Sequence, residues 1–430
     1  MNLVFTSKAQ LADLRNVSNP MSTRYAGSAY ATIVQVLSVI VLCIVLVAGL
    51  WPFHAPRNAV RWLKDENGVR FARHGTLVSR GPFRAGPSPN DTSCSLEIWL
   101  TPGLVTTEGT ILAFDSSPDP STPFSLRQYV SSVAIQRYMI DERGIPRRPW
   151  LKVDRVFREG ERVLLTVTSG RGATVVYVDG VQAGQDSTLG LVRKDLTGRL
   201  VLANSTVDES WPGEIYRLAI YDRELTPIQV KRHFERGMPD QRPAALGEET
   251  PTALYLFNER DGKIAHNQMD PETDLMMPTK YFVLHPAFLG PLWDQYHDSG
   301  AAWTGWNYWK DNVVNVAGFI PVGFVFMAYF SSVRNIRRSV LIVIILGFAI
   351  SFMIEVLQWF LPTRDSGMTD LVTNTAGTAI GVVLYRLSWV QTFVSGTGPS
   401  VISSRQDVQG GVDTCLGPTT KKCHTLHEVS

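Results

Sequence analysis

A long, uncharged and largely apolar stretch lies near the N-terminus of the chain. No charged residue occurs from position 25 to position 53, and the core at 31–50 is long enough, at about 1.5 Å per residue, to cross a hydrocarbon layer about 30 Å thick. The stretch begins late and ends in bulky Leu50, Trp51 and Pro52, unlike the small-residue cleavage site of a signal peptide. The pattern predicts a leader at 1–30 and a transmembrane helix at 31–51.

Three more apolar stretches crowd the C-terminal part of the chain, at 313–330, 340–361 and about 371–390. Each is long enough to span the hydrocarbon layer. With the first helix they predict a membrane α-helical bundle of four transmembrane helices, three of them within residues 312–394.

The basic residues of one short loop predict the orientation of these helices. The loop at 331–339 contains no acidic residue and three arginines, Arg334, Arg337 and Arg338, so the positive-inside bias places it in the cytoplasm. Three basic residues after the first helix favour the opposite orientation, although a long translocated domain largely escapes this bias: Arg57, Arg61 and Lys64. We therefore expect a multi-pass protein of a bacterial plasma (inner) membrane, with both termini cytoplasmic and the long middle segment outside.

The middle segment, at 56–278, has a different pattern of short apolar alternations broken by Gly, Pro, Asn and Asp. Such alternations at this spacing are typical of an antiparallel β sandwich. The Asp179-Gly180 pair lies between two strand-like runs and predicts a hairpin. Thr226, Pro227 and Gln229 form the start signal of a short helix that ends near residue 236. The pattern predicts an all-β sandwich closed by one helix.

Composition supports a membrane protein and excludes some other classes. The chain is 44% hydrophobic and 19% charged, below the ~25% charged residues of soluble chains. A net charge of +2 gives no positive field strong enough to hold nucleic acid through its phosphates, so no nucleic-acid partner is expected. The cysteines form neither a disulfide framework nor a paired zinc motif: Cys43, Cys94, Cys415 and Cys423.

Four strings of the middle segment carry a resemblance to a known family. They are, in order, CSLEIWLTPG (94–103), TILAFDSS (110–117), VYVDGVQAG (176–184) and GEIYRLAIYDRELTPIQV (213–230). In this order they resemble the concanavalin A-like lectin/glucanase domains of the laminin-G-like type, which have a jelly-roll sandwich. Members of that family often bind carbohydrate, some ligate calcium at the rim, and others serve as spacers or adhesion modules. The resemblance implies a carbohydrate partner and, as the one candidate cofactor, calcium on the rim.

A glycosidase is the sharper alternative for this sandwich. Hydrolysis needs two carboxylates about 5–10 Å apart across the scissile bond. The Glu-x-Asp-x-x-Glu string of related glucanases does not occur, and only Glu97 and Glu214 remain as a pair that folding could bring together. Carboxylates on the solvated face of a strand are common. The sequence therefore favours binding over hydrolysis.

Polar residues in the C-terminal helices point to a second site. An ionisable side chain in hydrocarbon costs a few kcal/mol or more, so each one is a functional hypothesis. With the predicted topology, six polar residues converge near the extracytoplasmic interface: Asn315, Glu355, Gln358, Arg364, Asp370 and Asn374. Arg364 is expected to pair with Glu355 or Asp370, or to bind a phosphate. Small or helix-loosening residues predict close packing of the helices: Gly318, Pro321, Gly323, Gly377 and Gly381.

The same helices resemble the VanZ-like membrane family. The strings are NVAGFIPVG (315–323), EVLQWFLPTR (355–364) and DLVTNTAGTAIG (370–381). Where members of the family often have further acids before the aspartate, this chain has Gly367 and Thr369. The founding member is associated with resistance to the glycopeptide teicoplanin, which implies action at the cell-envelope surface. A buried network that only fixes helix register is the alternative explanation of the polar residues.

Aromatic residues fill the connector at 279–311, among them Trp293, Trp303, Trp306 and Trp309. Tryptophans just before a membrane span are typical of an interfacial belt, and a sugar-stacking platform is the alternative. The tail at 395–430 is rich in Ser, Gly, Thr and Val and is predicted to be disordered and cytoplasmic.

The sequence as a whole predicts a cell-envelope membrane protein with an outward lectin-like domain. The expected partners are membrane lipid and a carbohydrate or lipid-linked glycan, in surface glycan recognition, synthesis or protection against glycopeptides. An intramembrane enzyme acting on a lipid-linked saccharide is one alternative, and a non-catalytic structural or adhesion scaffold is another. The absence of an evident nucleophile or metal-ligand set beside the intramembrane acids argues against an enzyme.

Overall fold

A computed structural model describes residues 20–84, 93–115, 123–140, 143–170, 172–205, 210–238, 250–284, 288–290, 306–334, 336–364 and 366–387. Its helices are α1 (Pro20–Leu50), α2 (Pro227–Arg236), α3 (Trp306–Ala328), α4 (Ser339–Gln358) and α5 (Met368–Arg386). Its strands are β1 (Val60–Trp62), β2 (Val69–Phe71), β3 (Leu77–Ser79), β4 (Cys94–Pro102), β5 (Glu108–Asp115), β6 (Phe124–Tyr129), β7 (Ser132–Arg137), β8 (Met139–Ile140), β9 (Pro146–Arg147), β10 (Trp150–Val153), β11 (Val163–Ser169), β12 (Thr174–Val178), β13 (Val181–Asp186), β14 (Arg199–Leu202), β15 (Gly213–Tyr221), β16 (Ala253–Tyr255), β17 (Ile264–Ala265) and β18 (Leu275–Met276).

Two antiparallel sheets form the predicted sandwich. The first has the order β1-β2-β15-β4-β11-β12-β13, with β16 paired to β15, and the second has the order β10-β7-β6-β5-β14-β3-β18-β17. Strands β8 and β9 form a separate hairpin. The all-β prediction for the middle segment is confirmed.

Alternation along each strand builds the core between the sheets. In β4, Leu96, Ile98 and Leu100 are fully buried in the core, whereas Glu97 and Trp99 point to the opposite face of the first sheet. Burial of such side chains contributes roughly 25 cal/mol per Å² of apolar surface removed from water, which makes this core the main source of the sandwich's stability. The outer face of the first sheet is therefore available for other contacts.

Helix α2 covers one half of that outer face. Its N-terminus has the predicted capping box, in which Thr226 accepts a hydrogen bond from the Gln229 amide and the Gln229 side chain accepts one from the Thr226 amide. Val230 is fully buried in a small apolar cluster under the helix, and the Phe234 ring stacks on Trp99. The other half of the face stays open.

Three helices are long and apolar enough to cross a membrane within the described residues: Ala29–Leu50, Trp309–Ser331 and Ser339–Gln358. The fourth predicted stretch forms α5, which is not among these three because its described part is less apolar than they are. Asp370, Asn374 and a series of threonines make it so, and Asn374 and Thr378 are buried against neighbouring helices. Helix α3 ends in a π-helical turn at Tyr329–Val333.

Glycines bring α3 and α5 into backbone contact. A Cβ added at Gly377 would collide with the Val316 carbonyl, one at Gly381 with the Ile320 carbonyl, and one at Gly323 with the Thr378 carbonyl. These three glycines therefore occupy the predicted packing surface. Gly318 has open space where a Cβ would be, so its predicted packing role is wrong. Pro321 lies inside α3.

Candidate functional site

The predicted polar residues lie at the end of the bundle where α1 and α4 finish and where α3 and α5 begin. Their side chains join the helices in pairs. The Asn315 amide donates to Asp370 Oδ1 (2.8 Å), which links α3 to α5. The Asn374 amide donates to Ser351 Oγ (3.0 Å), which links α5 to α4. We call the six predicted residues the polar junction: Asn315, Glu355, Gln358, Arg364, Asp370 and Asn374.

Gln358 and Arg364 connect the polar junction to α1. Gln358 Nε2 donates to the Gly49 carbonyl at 2.8 Å. Arg364 donates from Nε (3.1 Å) and from Nη2 (2.5 Å) to the Trp51 carbonyl. The expected pairing of Arg364 with Glu355 or Asp370 is wrong: no ion pair between described residues includes Arg364, because its guanidinium caps the C-terminal end of α1 instead.

Glu355 is held by backbone. Glu355 is only 1% exposed, and its Oε2 accepts a hydrogen bond from the Gly367 amide at 2.9 Å. The loop at 366–368 also receives the connector from the sandwich. The Gly290 amide donates to the Ser366 carbonyl (2.9 Å), and the Met368 amide donates to the Gly290 carbonyl (3.1 Å). Glu355 thus stabilises the loop to which the connector is attached.

Three buried oxygen atoms of this region have no hydrogen-bond partner among the described residues: Gln358 Oε1, Thr363 Oγ1 and Asn374 Oδ1. An unsatisfied buried acceptor costs about 1–3 kcal/mol, so these atoms are available for a donor. The described residues contain no group of three or more His, Cys, Asp or Glu side chains placed to hold a metal ion, in the bundle or on the sandwich rim.

A second site is a cleft on the open half of the first sheet. It has a volume of about 1250 Å³ and lies beyond the region that α2 covers. The charged residues and the tyrosine that line it are Glu66, Arg70, Arg73, Glu108, Glu159, Arg162, Glu214 and Tyr216.

A carboxylate and two arginines organise the floor of the cleft. Glu214 Oε1 accepts from Arg70 (2.6 Å), and Glu214 Oε2 accepts from the Tyr216 hydroxyl (2.5 Å). The Arg162 guanidinium lies 3.7 Å from the centre of the Tyr216 ring and pairs with Glu66 at 2.6 Å. Burial and the hydrogen bond to Glu214 raise the pKa of Tyr216, so its hydroxyl remains a donor at neutral pH. The result is a fixed array of donors and acceptors.

The alternative pair Glu97 and Glu214 does not assemble. Strand pairing places Glu214 opposite Thr101, four residues from Glu97, which is roughly 13 Å along the strand. This exceeds the ~5–10 Å of glycosidase pairs. Glu97 is instead buried beneath α2, where it binds His233 Nδ1 (2.9 Å) and the Tyr221 hydroxyl (2.9 Å).

Arg70, Arg162 and Tyr216 were not predicted from the sequence. Glu214 and Tyr216 are two residues apart on one strand and so share a face, which is the one available signal. Arg70 reaches the cleft from β2, and Arg162 reaches it from the position just before β11. Neither position is marked by a motif.

Several predicted residues lie elsewhere or outside the described residues. Trp306 and Trp309 both lie in α3, and 51% of the surface of Trp309 is exposed. Trp293, Trp303, Cys415 and Cys423 lie outside the described residues, as does the tail. Burial raises the pKa of the Cys94 thiol to about 12, which makes it unreactive.

Two family models match the chain. One described as VanZ/LLP1 matches residues 262–390, and one described as the concanavalin A-like lectin/glucanases superfamily matches residues 82–231. A search of curated proteins finds no significant match.

Three solved structures are among those that match parts of this chain. A candidate carbohydrate-binding protein from Bacteroides ovatus has 14% identity and a TM-score of 0.36, over 50% of this chain and 58% of that chain. The ligand-binding domain of botulinum neurotoxin serotype D, in complex with N-acetylneuraminic acid, has 16% identity and a TM-score of 0.31, over 42% and 46%. A heptameric SAP-like pentraxin from Limulus polyphemus has 15% identity and a TM-score of 0.29, over 40% and 78%.

The chain therefore spans about half the length of the first two of these proteins. Both resemblances that the sequence predicted are confirmed by the family models: a concanavalin A-like lectin/glucanase segment at 82–231 is followed by a VanZ-like segment at 262–390.

Proposed function

We propose that this protein is a cell-envelope membrane protein whose sandwich lies outside the membrane and binds a surface carbohydrate in its cleft. The observation that carries the proposal is the fixed array formed by Arg70, Arg162, Glu214 and Tyr216 in a concave site. Sugar hydroxyls both donate and accept, so a site with guanidinium donors and a carboxylate acceptor side by side matches neighbouring hydroxyls on one ring.

Recognition is better supported than hydrolysis. Of the glutamates that line the cleft, Glu214 is already bound by Arg70 and Tyr216 and Glu66 is paired with Arg162. The predicted partner of Glu214, Glu97, is too far away to act with it. A role in glycan synthesis or in protection against glycopeptides would extend the proposal. Only the similarity of the VanZ-like segment to its family supports such a role.

The polar junction supports a second candidate, the binding of the lipid-linked end of a glycan. Its unpartnered acceptors, Gln358 Oε1 and Asn374 Oδ1, are suited to hydroxyl or amide donors. The connector attaches beside Glu355, so a glycan held by the sandwich and a lipid held by the bundle would be joined through one loop.

A glycan array tests the main proposal. The full-length protein in detergent is expected to bind a subset of bacterial surface glycans. Glu214→Gln removes the charge that accepts from Arg70 and Tyr216, and it is expected to weaken binding about tenfold or more. Lys231→Ala, on the exposed side of α2 and outside the cleft, is the matched control and should bind like the wild type.

Two outcomes would contradict the proposal. One is the absence of any glycan binding by folded wild-type protein. The other is binding that Glu214→Gln leaves unchanged, which would place the carbohydrate outside the cleft.

A further inference from the structure

The end of the bundle opposite the polar junction carries an uncompensated positive charge. Three exposed arginines lie in and beside the turn between α3 and α4: Arg334, Arg337 and Arg338. We call them the arginine cluster. No ion pair between described residues includes any of them.

The acidic residues of the bundle are all at its other end. In the sequences of α1, α3, α4 and α5 the acids are Asp311, Glu355 and Asp370, at the start of α3, the end of α4 and the start of α5. Ser339 and Glu355 are 16 residues apart on α4, which corresponds to roughly 24 Å. The field of the arginine cluster is therefore not cancelled by these helices.

Aromatic rings at the end of α3 indicate the depth at which the arginine cluster lies. The Arg334 guanidinium is 5.9 Å from the centre of the Tyr329 ring, and Tyr329 contacts Phe330 edge to face at 5.2 Å. Tyrosine is enriched where headgroups meet hydrocarbon. The arginine cluster is thus placed at headgroup level, where phosphates are the most abundant anions.

An exposed apolar stripe begins just after Arg338. Leu341, Ile345, Phe348 and Phe352 are all exposed, and their spacing of four, three and four residues puts them on one face of α4. Phe348 and Phe352 stack at 6.3 Å and continue the stripe along the helix. The helix presents a basic head and an apolar body in line, which matches the two parts of a phospholipid.

We propose that the arginine cluster is a binding site for an anionic phospholipid. The headgroup phosphate accepts hydrogen bonds from the guanidinium forks, and the acyl chains lie along the apolar stripe of α4. A phosphatidylglycerol headgroup keeps its net negative charge. The ammonium of phosphatidylcholine cancels that charge and is repelled by the arginines, so the site selects the anionic lipid.

Native mass spectrometry of the full chain tests this site with dioleoyl phosphatidylglycerol and dioleoyl phosphatidylcholine added at equal concentration. The wild type is expected to retain phosphatidylglycerol preferentially. Substituting Gln for all three arginines should abolish the preference, with a loss of about fivefold in relative affinity for each charge removed. The triple Lys variant keeps the charge and should keep the preference.

The control is a triple variant in the segment that follows α1, Arg57→Gln, Arg61→Gln and Lys64→Gln, which should leave the preference intact. Size-exclusion chromatography of every variant establishes that it is folded. Equal retention of both lipids by the wild type would overturn the proposal, as would an undiminished preference in the folded Gln variant. Displacement of the lipid by millimolar inorganic phosphate would overturn it too, because the site would then be one for a soluble anion.

Discussion

At the scale of single residues, what a charged group does in this protein depends on the atom it contacts. Glu214 is bound by side chains, Arg70 and Tyr216, and it shapes an open cleft. Glu355 is bound by the Gly367 amide, and Arg364 by the Trp51 carbonyl, so both act on the backbone between elements. Substitutions at these positions should therefore separate stability from binding.

Glu355 is expected to contribute to stability through its hydrogen bond to Gly367. Glu355→Ala leaves the Gly367 amide buried without an acceptor, so the free energy of unfolding should fall by about 1–3 kcal/mol. In Glu355→Gln the side-chain carbonyl still accepts from that amide, so most of the stability should remain. Thermal unfolding in detergent measures the difference. Equal losses in the two variants would show that the hydrogen bond to Gly367 contributes little.

At the scale of elements, the contact between α3 and α5 depends on glycine at particular positions and not on glycine in general. Gly377 and Gly318 are both helical glycines, yet only Gly377 faces a backbone carbonyl, that of Val316, at a distance that leaves no room for a methyl group. The pair therefore forms a matched comparison of packing against helix propensity.

Gly377→Ala should force α3 and α5 apart and lower the free energy of unfolding by about 1–3 kcal/mol. Gly318→Ala should be neutral or stabilise by up to about 1 kcal/mol, because alanine is the better helix former and meets no neighbour. Unfolding of both variants in detergent, followed by circular dichroism, gives the comparison. A stable Gly377→Ala protein would mean that the helices cross less closely than described.

Most of the elements, but only part of the sites, could be predicted from the sequence. Hydrophobic periodicity and caps are local, so α1, α4 and the start of α2 at Thr226 were predictable. The proximity of Asn315 and Asp370 could be predicted because both residues fall at the same end of the bundle, whereas the hydrogen bond between them could not. The partner of Arg364 was not, because a backbone carbonyl 313 positions away leaves no signal in the sequence. Arg70 and Arg162 lie together in the cleft because of the order of the strands in the first sheet. The alternation of apolar and polar residues along each strand does not define that order.

At the scale of the whole molecule, the proposed function gives the two matched segments different roles. The sandwich carries the cleft, and the apolar helices provide three candidate spans within the described residues. The polar junction and the arginine cluster lie at opposite ends of the same helices. The proposed orientation puts the sandwich and the polar junction outside and the arginine cluster inside.

Cysteine labelling tests this orientation. In a variant whose native cysteines are replaced by alanine, a cysteine at exposed Ser187 of the sandwich should react with an impermeant maleimide in intact cells. A cysteine at Ser332, in the turn after α3, should react only after the cells are permeabilised. The reverse pattern would invert the orientation and place the cleft in the cytoplasm.

The bridge between Gly290 and the loop at 366–368 has a mechanical consequence. A polymer bound to the sandwich and pulled away from the cell would load this bridge, since Gly290 both donates to Ser366 and accepts from Met368. The next bond along the same loop joins Gly367 to Glu355, near the C-terminal end of α4. If the sandwich lies outside as proposed, tension in the envelope would reach a buried carboxylate through two successive hydrogen-bonded contacts.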